Sequence, residues 1–390
     1  MNICIFSHGH ISKTRGGVDR VTDTLSTELA YRGHCIYMIS AAAPVENDII
    51  KENQFVLPNK NICSDENRRF AQNFLEGKKV DIILNQADIK SIFDLIFDVH
   101  GEIPIISTIH TDPQALIKAV IDNWDEWKIK DGWKFWLKYP YFFLRRIYQH
   151  HNRKKYTSLK LRDYYEKCDA IVLLSERFKK SFIKISGIDD TSKLYAINNP
   201  ISFNEQQNAY TKKEKLVLFV GRLCFQKRID RLLEIWGHVH KYHEDWKLRI
   251  IGDGPEKMFY KNYAKKIKLT NVEFIGACNP EEHYKKATIL CLTSSFEGLP
   301  CVVQEALQYN VIPIVYKSFE SIEDIIINGK NGFTIKPFSS KEFGHILRKL
   351  MSDDKYRCEI QDNITNHDLK EKFSAKIITD KWEALFERLI

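Results

Sequence analysis

LVLFVGRLCFQKRIDRLLEIWGHVHKYHEDWKLRIIG spans residues 216–252 of the 390-residue chain. A short apolar run ends at Gly221, and an amphipathic segment follows, with apolar residues at 229, 232, 233, 236 and 239. A second apolar run begins at Trp246 and ends at Gly252. Apolar runs that alternate with amphipathic segments predict strands and helices in turn, as in βαβ units on a parallel sheet.

The same alternation continues on both sides of this stretch. In the C-terminal half, we expect further strands at 272–276, 288–294, 311–316 and 332–337, and helices at 300–309, 321–328 and 339–351. In the N-terminal half, we expect strands at 3–8, 34–40, 80–86, 103–110 and 170–175. A polar segment containing Pro200 separates the halves. The pattern predicts an α/β protein of two facing doubly wound, Rossmann-like domains, residues 1–198 and 199–365.

Composition argues against a disordered chain, a membrane-spanning protein and a protein built on disulfides or zinc. Hydrophobic and charged contents of 44% and 28% are typical of a globular chain. No apolar run approaches the roughly 18 residues of a membrane span, and we expect no signal peptide. Nine cysteines without a C-x-x-C pair indicate reduced thiols in a cytoplasmic protein rather than disulfides or zinc ligands.

Ligands of doubly wound sheets bind beyond the carboxyl ends of the strands, and cations lie at such an end here. Arg222 follows the strand that ends at Gly221, and Lys227 precedes the next helix. This pair suits a diphosphate, although an isolated pair is more often a solvated turn. Gly16 and Gly17 precede a predicted helix start, where free N–H groups and the helix dipole favour a bound phosphate. The alternative is that they form an ordinary flexible loop.

The stretch SSFEGLPCVVQEAL, residues 294–307, carries two glutamates on either side of a predicted helix start. Glu297 lies in the loop after a strand, and Glu305 lies about one turn into the helix. Gly298 and Leu299 offer backbone N–H groups where the helix begins. A carboxylate at the position of Glu305 can accept both hydroxyls of a ribose. The structural alternative is a glutamate that the helix dipole stabilises.

These motifs together resemble the retaining, nucleotide-sugar-dependent glycosyltransferases of family four, which have the GT-B fold. The resemblance rests on E-G-L-P-x5-E, preceded in order by G-R-L-x3-K, I-G-D-G-P and F-I-G. It is dense from about residue 216 to 335 and thinner over the N-terminal half. The sequence departs from the family at Arg228, where Gly or Asn is usual, and at 318–322, which lack the usual glycines.

The resemblance implies roles for individual residues and a reaction. Arg222 and Lys227 would hold the diphosphate, Glu305 the ribose, Glu297 would lie near the donor sugar, and Gly16 and Gly17 near the phosphates. His110 would lie beside the reacting sugar, so His110, Glu297, Arg222 and Lys227 form the expected catalytic set. The expected reaction is hexosyl transfer from a UDP-sugar to a glycan, with retention, in cell-surface polysaccharide or glycoconjugate assembly. Residues 366–390 would pack back on the N-terminal domain.

No metal is expected, because the chain contains no Asp-x-Asp pair that would supply metal-binding carboxylates. No cofactor is expected either, since the nucleotide sugar is a substrate. An epimerase with the same fold, which needs no acceptor, is the nearer alternative. Product analysis distinguishes the two reactions.

The net charge of +8 is concentrated in one segment, residues 127–165. From Lys128 to Tyr165, eleven Lys and Arg residues stand against two Asp, together with eleven aromatic residues. Rings beside cations suit the headgroup layer of an anionic membrane. We therefore expect a peripheral protein on the cytoplasmic face of the cell membrane, with a lipid-linked acceptor and no nucleic-acid partner. A nucleic-acid-binding protein is the less favoured alternative.

Overall fold

The computed structural model describes residues 1–12, 16–44, 51–120, 133–203, 213–366 and 369–390. They form two compact units. The first comprises Met1–Pro113, Lys155–Ser202 and Glu371–Ile390, and the second comprises Gln114–Lys154 and Phe203–Lys370. Each unit holds a parallel sheet with helices, which confirms the predicted doubly wound α/β fold. The domain boundaries expected at residues 198 and 365 stay predictions.

The sheet of the first unit has the order β3-β2-β1-β4-β5-β6-β7 over its described residues. The strands are β1 (Asn2–Ser7), β2 (Cys35–Ser40), β3 (Gln54–Val56), β4 (Ile82–Asn85), β5 (Ile105–Ile109), β6 (Ala170–Leu173) and β7 (Leu194–Ala196). Ile3 pairs with Ile36 on one side and with Ile82 on the other, so β1 and β4 flank the point where the strand order reverses. Strands β4, β5 and β6 are buried throughout, as expected for a sheet with helices on both faces.

The sheet of the second unit has the order β10-β9-β8-β11-β12-β13 over its described residues. The strands are β8 (Leu216–Val220), β9 (Lys247–Ile251), β10 (Val272–Gly276), β11 (Ile289–Leu292), β12 (Ile312–Tyr316) and β13 (Phe333–Ile335). The strand order reverses between β8 and β11, which pair through Val217 and Ile289. Ligand sites in doubly wound sheets lie at this kind of reversal.

The helices expected at 300–309 and 339–351 are present, and the described residues form further helices, several of which were not predicted. The helices of the described residues are α1 (Gly17–Tyr31), α2 (Asp65–Gly77), α3 (Lys90–Val99), α4 (Trp133–Leu137), α5 (Tyr139–Lys167), α6 (Arg177–Ser186), α7 (Ile229–Val239), α8 (Lys257–Lys266), α9 (Glu281–Lys286), α10 (Cys301–Gln308), α11 (Ser340–Ser352), α12 (Asp354–Thr365), α13 (Leu369–Lys372) and α14 (Ala375–Phe386). Gly33, which follows the C-cap residue Arg32 of α1, has φ of 91°, a left-handed conformation that glycine adopts readily at helix ends. None of the described helices combines the length and apolarity of a membrane span.

Two local predictions differ from the structure. The helix expected at 321–328 is a short 3₁₀ helix, Glu320–Asp324, in which the hydroxyl of Ser321 donates to the carbonyl of Gly298. Serine hydroxyls that bond to backbone groups compete with regular helix formation. The sequence pattern also missed β3 and β7, which have three residues each and are too short for a periodic signal.

Helix α14 completes the core of the first unit. Its residues Ile378, Trp382 and Phe386 lie in one buried cluster with Leu25 and Leu29 of α1. At the edge of this contact, the guanidinium of Arg32 lies 2.6 Å from a carboxylate oxygen of Asp380 and 2.6 Å from one of Glu383. The C-terminal helix is therefore held by apolar burial and by a shared ion pair.

Candidate functional site

Two loops meet where the strand order of the second sheet reverses. Residues 221–228 follow β8, and residues 293–300 follow β11. The amide N–H of Ser295 donates to the carbonyl of Gln226 over 2.8 Å, and the Gln226 side chain donates to the carbonyl of Phe296 over 2.8 Å. The hydroxyl of Thr293 lies 3.0 Å from the carbonyl of Lys227. These bonds hold the two loops in one fixed arrangement.

The arrangement brings together two predicted site residues. The Nζ of Lys227 lies 2.6 Å from Oε1 of Glu297, and the two side chains are only 16% and 11% exposed. The ammonium group has three N–H donors, and this contact uses one of them. The contact with Glu297 thus holds Lys227 in place, and a phosphate oxygen can accept a hydrogen bond from another N–H of the same ammonium group.

The loop that carries Arg222 is hydrogen-bonded to the backbone of the motif I-G-D-G-P, residues 251–255. The N–H of Gly221 donates to the carbonyl of Ile251 over 3.0 Å, and that of Leu223 donates to the carbonyl of Asp253 over 2.9 Å. A Cβ on Gly252 would lie 1.9 Å from the carbonyl oxygen of Gly221, so only glycine permits this approach. Arg222 is exposed, and among the described residues its guanidinium has no hydrogen-bond or ion-pair partner.

Arg228, which departs from the family pattern, occupies a left-handed conformation with φ of 50°. Gly and Asn adopt this region most readily, which explains why they are usual at this position. The Arg228 side chain is 1% exposed, and its guanidinium lies 3.0 Å from Oδ2 of Asp230 and over the ring of Phe338. The buried ion pair and the ring contact accompany a backbone conformation that is unusual for arginine.

Glu305 lies on α10 and is 1% exposed. Its Oε2 accepts a hydrogen bond from the hydroxyl of Tyr284 over 2.9 Å.

Pro300 is the N-cap residue, so α10 begins at Cys301, and Leu299 before it is buried. The carbonyl of Gly298 accepts from Ser321, and the carbonyl of Ser294 accepts from Ser318 over 2.6 Å. Two serines of the segment 318–322, which lacks the family's usual glycines, thus hydrogen-bond to the loop that carries Glu297.

In the first unit, His110 directly follows β5 and is buried. Its Nε2 lies 2.6 Å from Oε1 of Gln86, which directly follows β4. Burial lowers the pKa of His110 to about 4, so the imidazole is neutral at pH 7 and donates from Nε2 to the amide oxygen. Gly16 and Gly17 are exposed at the start of α1, where Gly16 is the N-cap residue.

Sequence reasoning missed Gln86, Gln226 and Tyr284. Gln86 had a usable signal, since it is the last residue of the strand predicted at 80–86. Tyr284 had none, because it lies on a short helix outside every motif. Among the described residues, no three His, Cys, Asp or Glu side chains cluster in a way that could hold a metal ion.

Comparisons with known proteins match this architecture along most of the chain. The family model "Glycosyltransferase Family 4" matches residues 15–205, and "Glycosyl transferases group 1" matches residues 201–367. An amylovoran biosynthesis glycosyltransferase of Erwinia amylovora is 29% identical over 198 residues, which are 50% of this chain and 55% of that protein. The chain thus spans about half the length of this curated relative, and 61% of another.

Two further proteins match nearly the full length. A Campylobacter jejuni enzyme is 25% identical over 383 residues, 94% of each chain; it is the GalNAc-alpha-(1->4)-GalNAc-alpha-(1->3)-diNAcBac-PP-undecaprenol alpha-1,4-N-acetyl-D-galactosaminyltransferase. A variant of S. aureus TarM, solved with Fondaparinux, alpha-GlcNAc-glycerol and UDP, superposes with a TM-score of 0.76 at 13% identity over 99% of each chain. The chain therefore belongs to the family-four glycosyltransferases and has the GT-B fold of two Rossmann-like domains.

Proposed function

We propose that this chain transfers a sugar from a UDP-sugar to a lipid-linked glycan, with retention of the anomeric configuration and without a metal ion. The observation that carries the proposal is the pairing of Lys227 with Glu297 where the strand order of the second sheet reverses, with Arg222 in the same loop as Lys227. This is the position where doubly wound sheets bind ligands. Arg222 and Lys227 supply the positive charge that a diphosphate requires.

Arg222 and Lys227 stabilise the leaving group of the proposed reaction. The bond between the anomeric carbon and the diphosphate oxygen breaks, and the acceptor oxygen bonds to that carbon on the same face. Negative charge then grows on the departing diphosphate, and Arg222 and Lys227 stabilise it more strongly in the transition state than in the ground state. The acceptor hydroxyl releases its proton to the departing phosphate, so the step needs no further base.

The remaining residues select and orient the donor. Glu305 accepts the two hydroxyls of the ribose, and Glu297 contributes its carboxylate near the donor sugar. The neutral imidazole of His110 provides a hydrogen-bonding group beside the sugar rather than a charge. Gly298 and Leu299 lie in the same loop as Glu297, and Gly16 and Gly17 offer a helix start to the phosphates. The TarM structure, which holds UDP, supports the choice of nucleotide.

The acceptor side of the proposal rests on α4 and α5. Three rings of these helices, Trp133, Trp136 and Phe143, are exposed by 70%, 59% and 44%, whereas Phe142 is buried. The part of the predicted basic segment at 127–132 lies outside the described residues. Exposed rings beside exposed lysines and arginines suit an anionic membrane surface. The Campylobacter relative, named for an undecaprenol-linked substrate, supports a lipid-linked acceptor.

The test is a thermal-shift screen of UDP-, GDP- and ADP-sugars, followed by product analysis with the stabilising donor. We expect a UDP-sugar to raise the melting temperature, and to be consumed faster when an undecaprenyl-diphosphate-linked glycan is added. The coupling constant of the new anomeric proton should match that of the donor. An inverted product contradicts retention, and an epimerised sugar formed without acceptor supports the epimerase alternative instead.

A further inference from the structure

Tyr284, on α9, directly contacts the residue proposed to hold the ribose. Its hydroxyl donates to Oε2 of Glu305 over 2.9 Å, and the two residues are 0% and 1% exposed. The carbonyl of Val302 lies 3.4 Å from the same hydroxyl, which is long for an O–H donor. A tyrosine hydroxyl has one hydrogen, so the shorter, charge-assisted bond to the carboxylate takes it.

The ring of Tyr284 is itself held by groups other than Glu305. It stacks on Tyr309 with ring centroids 6.0 Å apart and planes 2° apart, and it meets the edge of Phe203. The Nζ of Lys213 donates to the carbonyl of Tyr284 over 3.0 Å and to that of Tyr309 over 2.6 Å. The hydroxyl of Tyr284 is therefore presented to α10 from a fixed place.

We propose that Tyr284 is a positioning residue for the nucleotide: it fixes the carboxylate of Glu305 in the orientation that accepts the cis-diol of a ribose. The inference rests on the proposed function of Glu305. A carboxylate has about four lone-pair sites on its two oxygens, so it can accept from Tyr284 and from two ribose hydroxyls at once. Tyr284 acts only through Glu305 and does not itself contact the nucleotide.

The variant Tyr284→Phe removes the hydroxyl and keeps the stacked ring. Without this bond, the carboxylate of Glu305 must be ordered when the nucleotide binds, and we expect about tenfold weaker binding of UDP. Affinity for 2′,3′-dideoxyuridine diphosphate, which lacks both ribose hydroxyls, should not change. Both dissociation constants are measured by calorimetry, and the fold of each variant is checked by its urea midpoint.

Tyr309→Phe is the matched control. It removes a hydroxyl from the other ring of the same stack, but that hydroxyl donates to Glu281 over 3.0 Å and not to Glu305. We expect its affinity for both nucleotides to stay within roughly twofold of the wild type, well below the roughly tenfold change expected for Tyr284→Phe. A second route uses Glu305→Ala: in that background, Tyr284→Phe should cause no further loss of UDP affinity.

Several results would overturn the inference. Equal weakening of both nucleotides by Tyr284→Phe, or an equal effect of Tyr309→Phe, would make Tyr284 a structural residue only. Further loss in the double variant would show that Tyr284 does not act through Glu305. If the wild type binds UDP no better than the dideoxy analogue, the ribose role of Glu305 fails, and the role of Tyr284 fails with it. Failure confined to the Tyr284 variants leaves the proposed function in place.

Discussion

The Nζ of Lys227 and the Oε1 of Glu297 lie 2.6 Å apart, although 70 positions separate the two residues in the chain. Each residue lies in the loop after a strand, and the two strands, β8 and β11, are neighbours in the sheet. Because both side chains are largely buried, the pair differs from exposed ion pairs, which contribute about 0–1 kcal/mol. Removing either partner leaves the other charge poorly solvated.

Replacing Lys227 by alanine should lower turnover by roughly 10²–10³-fold, the scale seen when one group that stabilises a developing oxyanion is removed. The rate is measured as kcat at saturating UDP-sugar. Lys215→Ala is the control, because Lys215 forms an exposed ion pair with Asp245 just before β8 and should have unchanged turnover. Near-normal kcat in Lys227→Ala would remove this lysine from the mechanism.

Replacing Glu305 by alanine should weaken UDP binding by at least about tenfold, because two ribose hydroxyls lose a charged acceptor. Calorimetry with UDP measures the change. Glu282→Ala on the neighbouring helix α9 removes an exposed carboxylate that pairs with Lys285 and should leave the affinity unchanged. Unaltered UDP affinity in Glu305→Ala would make Glu305 a structural residue of α10.

Replacing Gly252 by alanine should destabilise the second unit by more than about 2 kcal/mol. The new Cβ would meet the carbonyl oxygen of Gly221 at 1.9 Å, and φ of 134° is a region that L-residues rarely adopt. The midpoint of urea unfolding measures the loss. Gly77→Ala is the matched control, since a Cβ there meets nothing within 4 Å. A Gly252 variant as stable as the wild type would contradict the close approach of the two loops.

His110 should make stability fall as the pH falls from about 6.5 towards 4. The native pKa of about 4 lies below the usual value of 6.5, so the unfolded state binds a proton in this window and the native state does not. Stability is thus fully retained above pH 6.5, and the loss reaches roughly 3 kcal/mol near pH 4. Urea unfolding at pH 7 and pH 5 should show a smaller decrease for His110→Asn than for the wild type. Identical pH dependence would refute a buried, neutral imidazole.

The exposed aromatic and basic residues of α4 and α5 should bind the protein to anionic membranes. We expect co-sedimentation with phosphatidylglycerol vesicles at low salt and release at high salt, because screening weakens attraction to the surface. Replacing Arg145 and Arg146 by alanine should reduce binding by about tenfold or more, given about 1 kcal/mol for each cation. The control replaces Lys265 and Lys266, exposed on α8, and should bind as the wild type does. Protein that stays in the supernatant at low salt would favour a soluble acceptor.

The order of apolar and amphipathic segments determines the fold class by itself. Strand and helix periodicity are local properties, so LVLFVG and the segment after it predict a βαβ unit without knowledge of distant residues. The same local pattern locates the strand ends, and with them Arg222, Lys227, Glu297 and His110. The sequence also marks Arg228 as unusual, but it offers no reason for that residue.

Tertiary structure decides which of these residues meet and what state they adopt. Lys227 reaches Glu297 only because the chain places β11 beside β8, and this pairing depends on long-range strand order. The contact of Tyr284 with Glu305 depends on the packing of α9 against the helix that follows β11, which no local pattern records. His110 is neutral because the folded unit buries it. Burial and contact between distant segments are products of the whole fold, so the chemistry of the site follows from packing that local sequence does not encode.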